Sequence, residues 1–180
     1  MKNNNLDYLL ENRYSCRSYL SEEVRVDDIR KILYSATLSP STNNRQPWSF
    51  VVVKNKDIKN EIAQLLEEKG KENNNQAFIM TSKAIYEAPI LLCVFNKVVD
   101  DESISIIQSI GACIENMLLK AEDLGLSSLW IRATSCIEKE IAEKLNKEKE
   151  HLMACITLGY SDKERRAKNR KNIDEITNWL

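Results

Sequence analysis

Three stretches of this 180-residue sequence place chemistry-bearing groups close together. The first is Arg13-Tyr14-Ser15-Cys16-Arg17-Ser18, two guanidinium groups among hydroxyls. Guanidinium forms charge-assisted, often bidentate hydrogen bonds with phosphate oxygens, so this segment could cradle a phosphate. The second is the cationic run KERRAKNRK, residues 163 to 171, which includes Lys168 and Arg170. The third is SPSTNNRQPW, residues 39 to 48, which is either a plain connection or a backbone shaped to hold a flat polar ligand. Read singly, the two cationic stretches are more commonly solvated surface, and a basic tail also suits loose nucleic-acid contact. No aromatic residue interleaves with the second run, and 26 Lys+Arg against 27 Asp+Glu leave a net charge of -1. No overall field draws the chain to nucleic acid or to a membrane.

What is missing narrows the chemistry. A single histidine, His151, opens an apolar run and reads as structural, so no metal site is expected. The four glycines (Gly70, Gly111, Gly125, Gly159) compose neither a dinucleotide fingerprint nor a phosphate-binding loop. A phosphate-bearing cofactor would therefore have to be held by side-chain cations. The five cysteines form no C-x-x-C pair, which fits free, buried thiols in a reducing compartment, and a cytoplasmic location is expected. The apolar runs read as too short and interrupted to span a bilayer, and MKNNNLDYLL lacks the apolar stretch of a signal peptide.

The elements that must position these residues follow from periodicity. Helices are predicted over residues 6–12, 27–36, 57–68 and 104–124, with Pro40 ending the second. The 104–124 segment is apolar on most faces, as suits a central helix or one at a subunit interface. Residues 50–53, 90–95, 129–131 and 152–158 are β-branched or continuously apolar and read as strands. Ser135 and Glu138 have capping-box spacing for a helix to about Leu145. Residues 70–76, with Asn73-Asn74-Asn75, read as a loop, and Ile173, Ile176, Trp179 and Leu180 as the stripe of a short final helix. With 43% hydrophobic residues the chain supports one good core, and the expectation is a single α+β domain over 1–180.

Taken together and in order, these stretches resemble the flavin-dependent nitroreductase family. Arg13-Tyr14-Ser15-Cys16-Arg17 is similar to its R-x-S-x-R opening, and SPSTNNRQPWSFVVV to its P-S-x-x-N-x-Q-P-W motif followed by a strand. Tyr86-Glu87-Ala88-Pro89 resembles the family's lead into a central strand. GACIENMLLKAEDLGLSSLWI, residues 111 to 131, resembles its long helix and following strand. LGYSDKERRAKNRKNIDEI, residues 158 to 176, resembles its closing Gly-Tyr turn and K-x-R tail.

The resemblance implies a layered α/β/α fold with a mostly antiparallel central sheet. It also implies an FMN enzyme that works as a homodimer, with flavin sites between subunits and residues 161–180 docked on the partner. Carried over by position, Arg13, Ser15, Lys168 and Arg170 would bind the FMN phosphate, Arg17 would face the N1/O2 edge of the ring, and Tyr14 would flank the ribityl chain. Pro40, Ser41 and Asn44 would border the flavin from the partner, and Asn43 would face the substrate. Gln46 and Trp48 would be buried support. The backbone N–H of Ala133, beside Arg132, stands where family members, commonly with glycine, approach flavin N5. NAD(P)H would reduce the flavin, and a nitroaromatic, quinone or similar electrophile would reoxidise it, with no side chain as nucleophile or base. A protein that stores or senses FMN without efficient turnover is the alternative, and one that dehalogenates its substrate a remoter one. The chain departs from the family in its Arg132-Ala133 pair and in a reduced lid region, where residues 71–81 find no match.

Overall fold

In a computed structural model of the chain, the described residues are 6–98, 103–163 and 169–180. The alternation of β-branched and apolar runs with helical periods becomes four strands and six helices among those residues. In chain order these are α1 (Leu6–Asn12), α2 (Val26–Thr37), β1 (Trp48–Val53), α3 (Lys56–Glu72), α4 (Gln76–Glu87), β2 (Ile90–Asn96), α5 (Ile104–Asp123), β3 (Ser127–Ile131), α6 (Glu138–Leu145) and β4 (His151–Gly159). The sheet order is β1-β2-β4-β3, and every neighbouring pair is antiparallel. The α+β expectation with an antiparallel sheet is met.

The continuous apolar run of β2 is explained by its central place, where both faces are covered. Ile90, Leu92 and Val94 pack with Ile32 of α2 and Ile110, Ile114 and Met117 of α5 on one side. Leu91, Cys93 and Phe95 pack with Ile62 and Leu66 of α3, Ile85 of α4 and Ile141 of α6 on the other. Each such large, fully buried side chain contributes roughly 1.5–3 kcal/mol relative to exposure. Cys93 and Cys155 stand opposite each other in register, Sγ to Sγ 3.6 Å.

Four local expectations are corrected. The 70–76 segment is not a long loop: α3 continues through Gly70 to Glu72, and after Asn73–Asn75 a further helix, α4, begins. A Cβ on Gly70 would come within 2.9 Å of Ile79, so glycine is what lets α3 and α4 approach. Asn75 caps α4 by accepting from the amides of Ala77 and Phe78. Ser135 does not cap α6. It lies within a 3-10 turn, Ala133–Ile137, while the Glu138 carboxylate accepts from Leu152 N–H at 3.0 Å and lies 3.4 Å from His151 Nδ1. The final helix is a single 3-10 turn, Ile173–Glu175. Lastly, α5 is long and apolar enough to cross a membrane by length and composition, contrary to the reading of short runs. Its apolar content is accounted for by the core on one side, while Ile104 and Ile107 on another are exposed.

Candidate functional site

The segment 13–18 reaches its position because the chain after α1 runs along the edge strand β3. Ser15 forms a parallel bridge with Ser128, and Cys16 N–H donates to Ser128 O at 2.9 Å. Tyr14 turns inward, its hydroxyl 3.3 Å from Ser127 Oγ, and burial pushes its phenol above the ordinary range. Cys16 is buried with its thiol on Ser18 O, while Ser15 and Arg17 stay exposed. This alternation along an extended backbone presents Ser15 and Arg17 together on the outer side.

Tyr14, Ser15 and Arg17 line a cavity of about 720 Å³. Ala77, Met80 and Thr81 of α4 line it too, as does Lys163. It thus offers two cations and several hydroxyls together with an apolar helix face, and no carboxylate is among its described lining residues. Sequence reasoning missed this α4 contribution. The available signal was Asn75, an N-cap residue just before the apolar spacing of Phe78, Ile79 and Ile85.

The other candidates sit elsewhere. Arg13 lies outside that lining, with Nε 3.4 Å from the Glu115 carboxylate on α5. Arg132 lines a separate cavity of about 210 Å³ with Ile107, His151 and Met153. Ala133 opens the 3-10 turn, where a first amide has no acceptor within the turn. Arg170 is exposed and donates to Asn169 O at 3.2 Å. Lys168 lies outside the described residues.

The 39–48 stretch is more than a plain connection. Asn43, Asn44 and Gln46 all adopt positive φ (48°, 54° and 46°), a conformation that costs a non-glycine residue roughly 1–2 kcal/mol. It is held from both ends: Thr42 N–H donates to Ser109 Oγ of α5 at 3.1 Å, and Asn116 Nδ2 donates to Ser39 Oγ at 2.7 Å. Ser41 Oγ accepts from Gln46 N–H at 3.1 Å. Pro40, Asn43 and Asn44 are exposed, so the loop presents its amides outward on a strained, tethered frame. Trp48 is buried as expected, whereas the Gln46 amide is exposed, not buried, because its left-handed backbone turns it to Asn44 Oδ1 at 3.4 Å.

Among the described residues no group of three or more His, Cys, Asp or Glu could hold a metal ion. Comparison with known proteins gives a consistent picture. The model of the nitroreductase family matches residues 10–160. A protein of Archaeoglobus fulgidus, named for NADH dehydrogenase/NAD(P)H nitroreductase activity, is 30% identical over 177 residues, 93% of this chain and 94% of the relative. A BluB-like flavoprotein from Clostridium difficile superposes with a TM-score of 0.87 at 26% identity, over 98% of this chain and 99% of that one. An FMN-dependent nitroreductase from Clostridium difficile gives a TM-score of 0.79 at 25% identity, over 97% and 98% of the two chains. By the family model over residues 10–160 and the full-length relative, the chain belongs to the nitroreductase family.

Proposed function

We propose that this chain is an FMN-dependent oxidoreductase passing reducing equivalents from NAD(P)H to a conjugated electrophile such as a nitroaromatic or a quinone. The observation that carries the reading is the 720 Å³ cavity, with Arg17 and hydroxyls in one wall and the face of α4 in the other. Its size is that of a small-molecule site, and its donor set suits a flat ring with an anionic edge. When bound, FMN would supply the two-electron chemistry. The rest falls to side chains of the chain itself.

Arg17 would hold a fixed positive charge at the N1/O2 edge, where negative charge gathers on reduction. Ser15 would donate to the phosphate with Arg13, Lys168 and Arg170. Arg13 would share its guanidinium between that phosphate and Glu115, which keeps it oriented. Tyr14 would flank the ribityl chain, and the Ala133 amide, next to Arg132, would approach N5.

The 40–44 loop is tethered and strained yet exposed, which suits contact with a second copy of the chain. Pro40, Ser41 and Asn44 would border the flavin of that copy, with Asn43 toward the acceptor. Exposed Tyr34, Leu38, Ile104 and Trp130 would supply apolar area for such a homodimer.

The test is anaerobic titration of the purified protein. The expected result is a yellow protein that releases FMN, not FAD, on denaturation and bleaches with NADH or NADPH. Protein without affinity for FMN overturns the reading. Protein that holds FMN but resists both nicotinamides is instead a store or sensor.

A further inference from the structure

The two walls of the 720 Å³ cavity come from distant parts of the chain, and one side chain outside its lining joins them. The 14–18 wall is tied toward the sheet by Cys16 N–H to Ser128 O and by Leu20 N–H to Tyr160 O, both 2.9 Å. Between these, Tyr19 N–H points the other way and donates to Glu87 Oε2 at 3.1 Å. Glu87 is the last residue of α4, the helix that forms the opposite wall.

Both ends of this link are held firmly. The Tyr19 ring is 9% exposed, and its hydroxyl donates to Cys16 O at 3.0 Å and lies 2.8 Å from Thr157 Oγ1. A Cβ on Gly159 would come 2.9 Å from that ring and 2.6 Å from Pro89, so the packing there has no slack. On the helix side, the buried ammonium of Lys59 donates to Ile85 O at 2.8 Å and Tyr86 O at 2.7 Å. It thereby caps the carbonyls that the end of a helix leaves unpaired. A link between two rigid bodies sets their separation, whereas the same bond between mobile segments would set nothing.

We propose that Glu87 is a positioning residue whose carboxylate fixes the spacing between the Arg17 wall and the α4 wall. That spacing is the width of the slot in which a ligand lies against Met80 and Thr81. The ligand's identity rests on the FMN reading above, but the link does not. Without the carboxylate, Tyr19 N–H must turn to water and the direct tie between the two walls is lost. Glutamine keeps an acceptor oxygen at the same reach, so E87Q retains the link and E87A loses it.

The experiment compares wild type, E87A and E87Q by hydrogen exchange on the flavin-free protein, FMN titration and the flavin absorbance spectrum. In E87A, exchange at the Tyr19 amide rises about tenfold or more, the scale of losing a hydrogen bond to a charged group. The β4 amides are unchanged. The FMN dissociation constant rises on the order of tenfold with a shifted flavin band, and E87Q restores each to within about threefold of wild type. Unchanged exchange at Tyr19 overturns the proposal, as does equal loss in both variants. A lower melting temperature in E87A with FMN affinity and spectrum intact also overturns it, since the role would then be structural only. A wild type that binds no FMN defeats the functional reading, and the exchange data still decide the link.

Discussion

The first cationic stretch and residues 169–180, the described end of the tail, are built in opposite ways. Arg13–Leu20 is laced to the sheet edge and to α4 by backbone and side-chain bonds that span the whole sequence. Among the described residues, 169–180 make only neighbourly ones, such as Arg170 to Asn169 O, Asn172 Oδ1 accepting from Asp174 N–H, and Ile176 N–H to Ile173 O. In the same tail Ile173 and Ile176 are each 61% exposed and Trp179 is 82% exposed. One chain therefore holds the first stretch by itself, while the apolar side chains of residues 169–180 stay exposed. The phosphate site proposed above draws on both, and this contrast supports the proposal of a second copy.

The sharpest way to break the contrast is to remove the tail. A chain ending after Arg170 is expected to lose the dimer and FMN together, while its far-ultraviolet spectrum stays native because no core residue belongs to the tail. Sedimentation of the full-length protein as a stable, FMN-loaded monomer at micromolar concentration would refute the arrangement.

Next in size are the arginines. R13A and R170A should each weaken FMN binding by about 1.5–3 kcal/mol, the scale of a hydrogen bond to a charged group, with the fold intact. Flavin titrations matching wild type in both variants would remove the phosphate assignment. R17A should act differently, lowering the flavin midpoint potential and slowing reduction more than it lowers FMN content. A wild-type potential in R17A counts against its place at the N1/O2 edge.

The contrast also explains what the sequence could and could not reveal. Strands β2 and β4 were legible because burial on both faces demands continuous apolar runs, and Leu91 to Phe95 is such a run. Helix α5 was legible from its period. Helix α4 was not, because its start follows three asparagines that read as a loop, and Gly70, placed in that loop, serves close packing against Ile79. For the same reason Met80 and Thr81 were absent from the candidate site. Ser15 and Arg17 could be picked out by type, but no local pattern shows that Arg13 faces Glu115, 102 positions away, or that Arg132 lines a different cavity. Those facts depend on how distant elements meet.

A smaller effect probes the rigidity of the laced stretch. G159A adds a methyl group 2.6 Å from Pro89 and 2.9 Å from the Tyr19 ring. Neither neighbour is the free end of a flexible chain, so the cost should be that of overpacking, about 1–3 kcal/mol. Urea unfolding measures it. G111A is the control: the nearest heavy atom to its methyl group is Trp130 Cη2 at 3.9 Å. It should cost nothing by crowding, and equal losses in the two variants would deny that Tyr19 sits in a tight seat.

The smallest effect is read by thiol chemistry. Cys16, Cys93, Cys113 and Cys155 are buried, and Cys136 is exposed. The thiolate is the reactive species, so both access and acidity matter. Burial pushes the Cys113 thiol up to about 12, and contact with Cys155 together with burial holds Cys93 well above the ordinary range. Partial desolvation raises Cys136 as well. At neutral pH less of it is thiolate than in a free cysteine, and its rate should keep climbing with pH after that of a free thiol has levelled off. Native protein should therefore release one equivalent of a chromogenic disulfide reagent, slowly, and unfolded protein all five. Cys16 lies within the laced stretch, so it reports on the lacing. Removing the tail should leave the count at one, whereas E87A should add a second, slower equivalent assigned by mass spectrometry to Cys16. Release of Cys16 on tail removal would mean that the two stretches depend on each other within one chain, and the contrast between them would be lost.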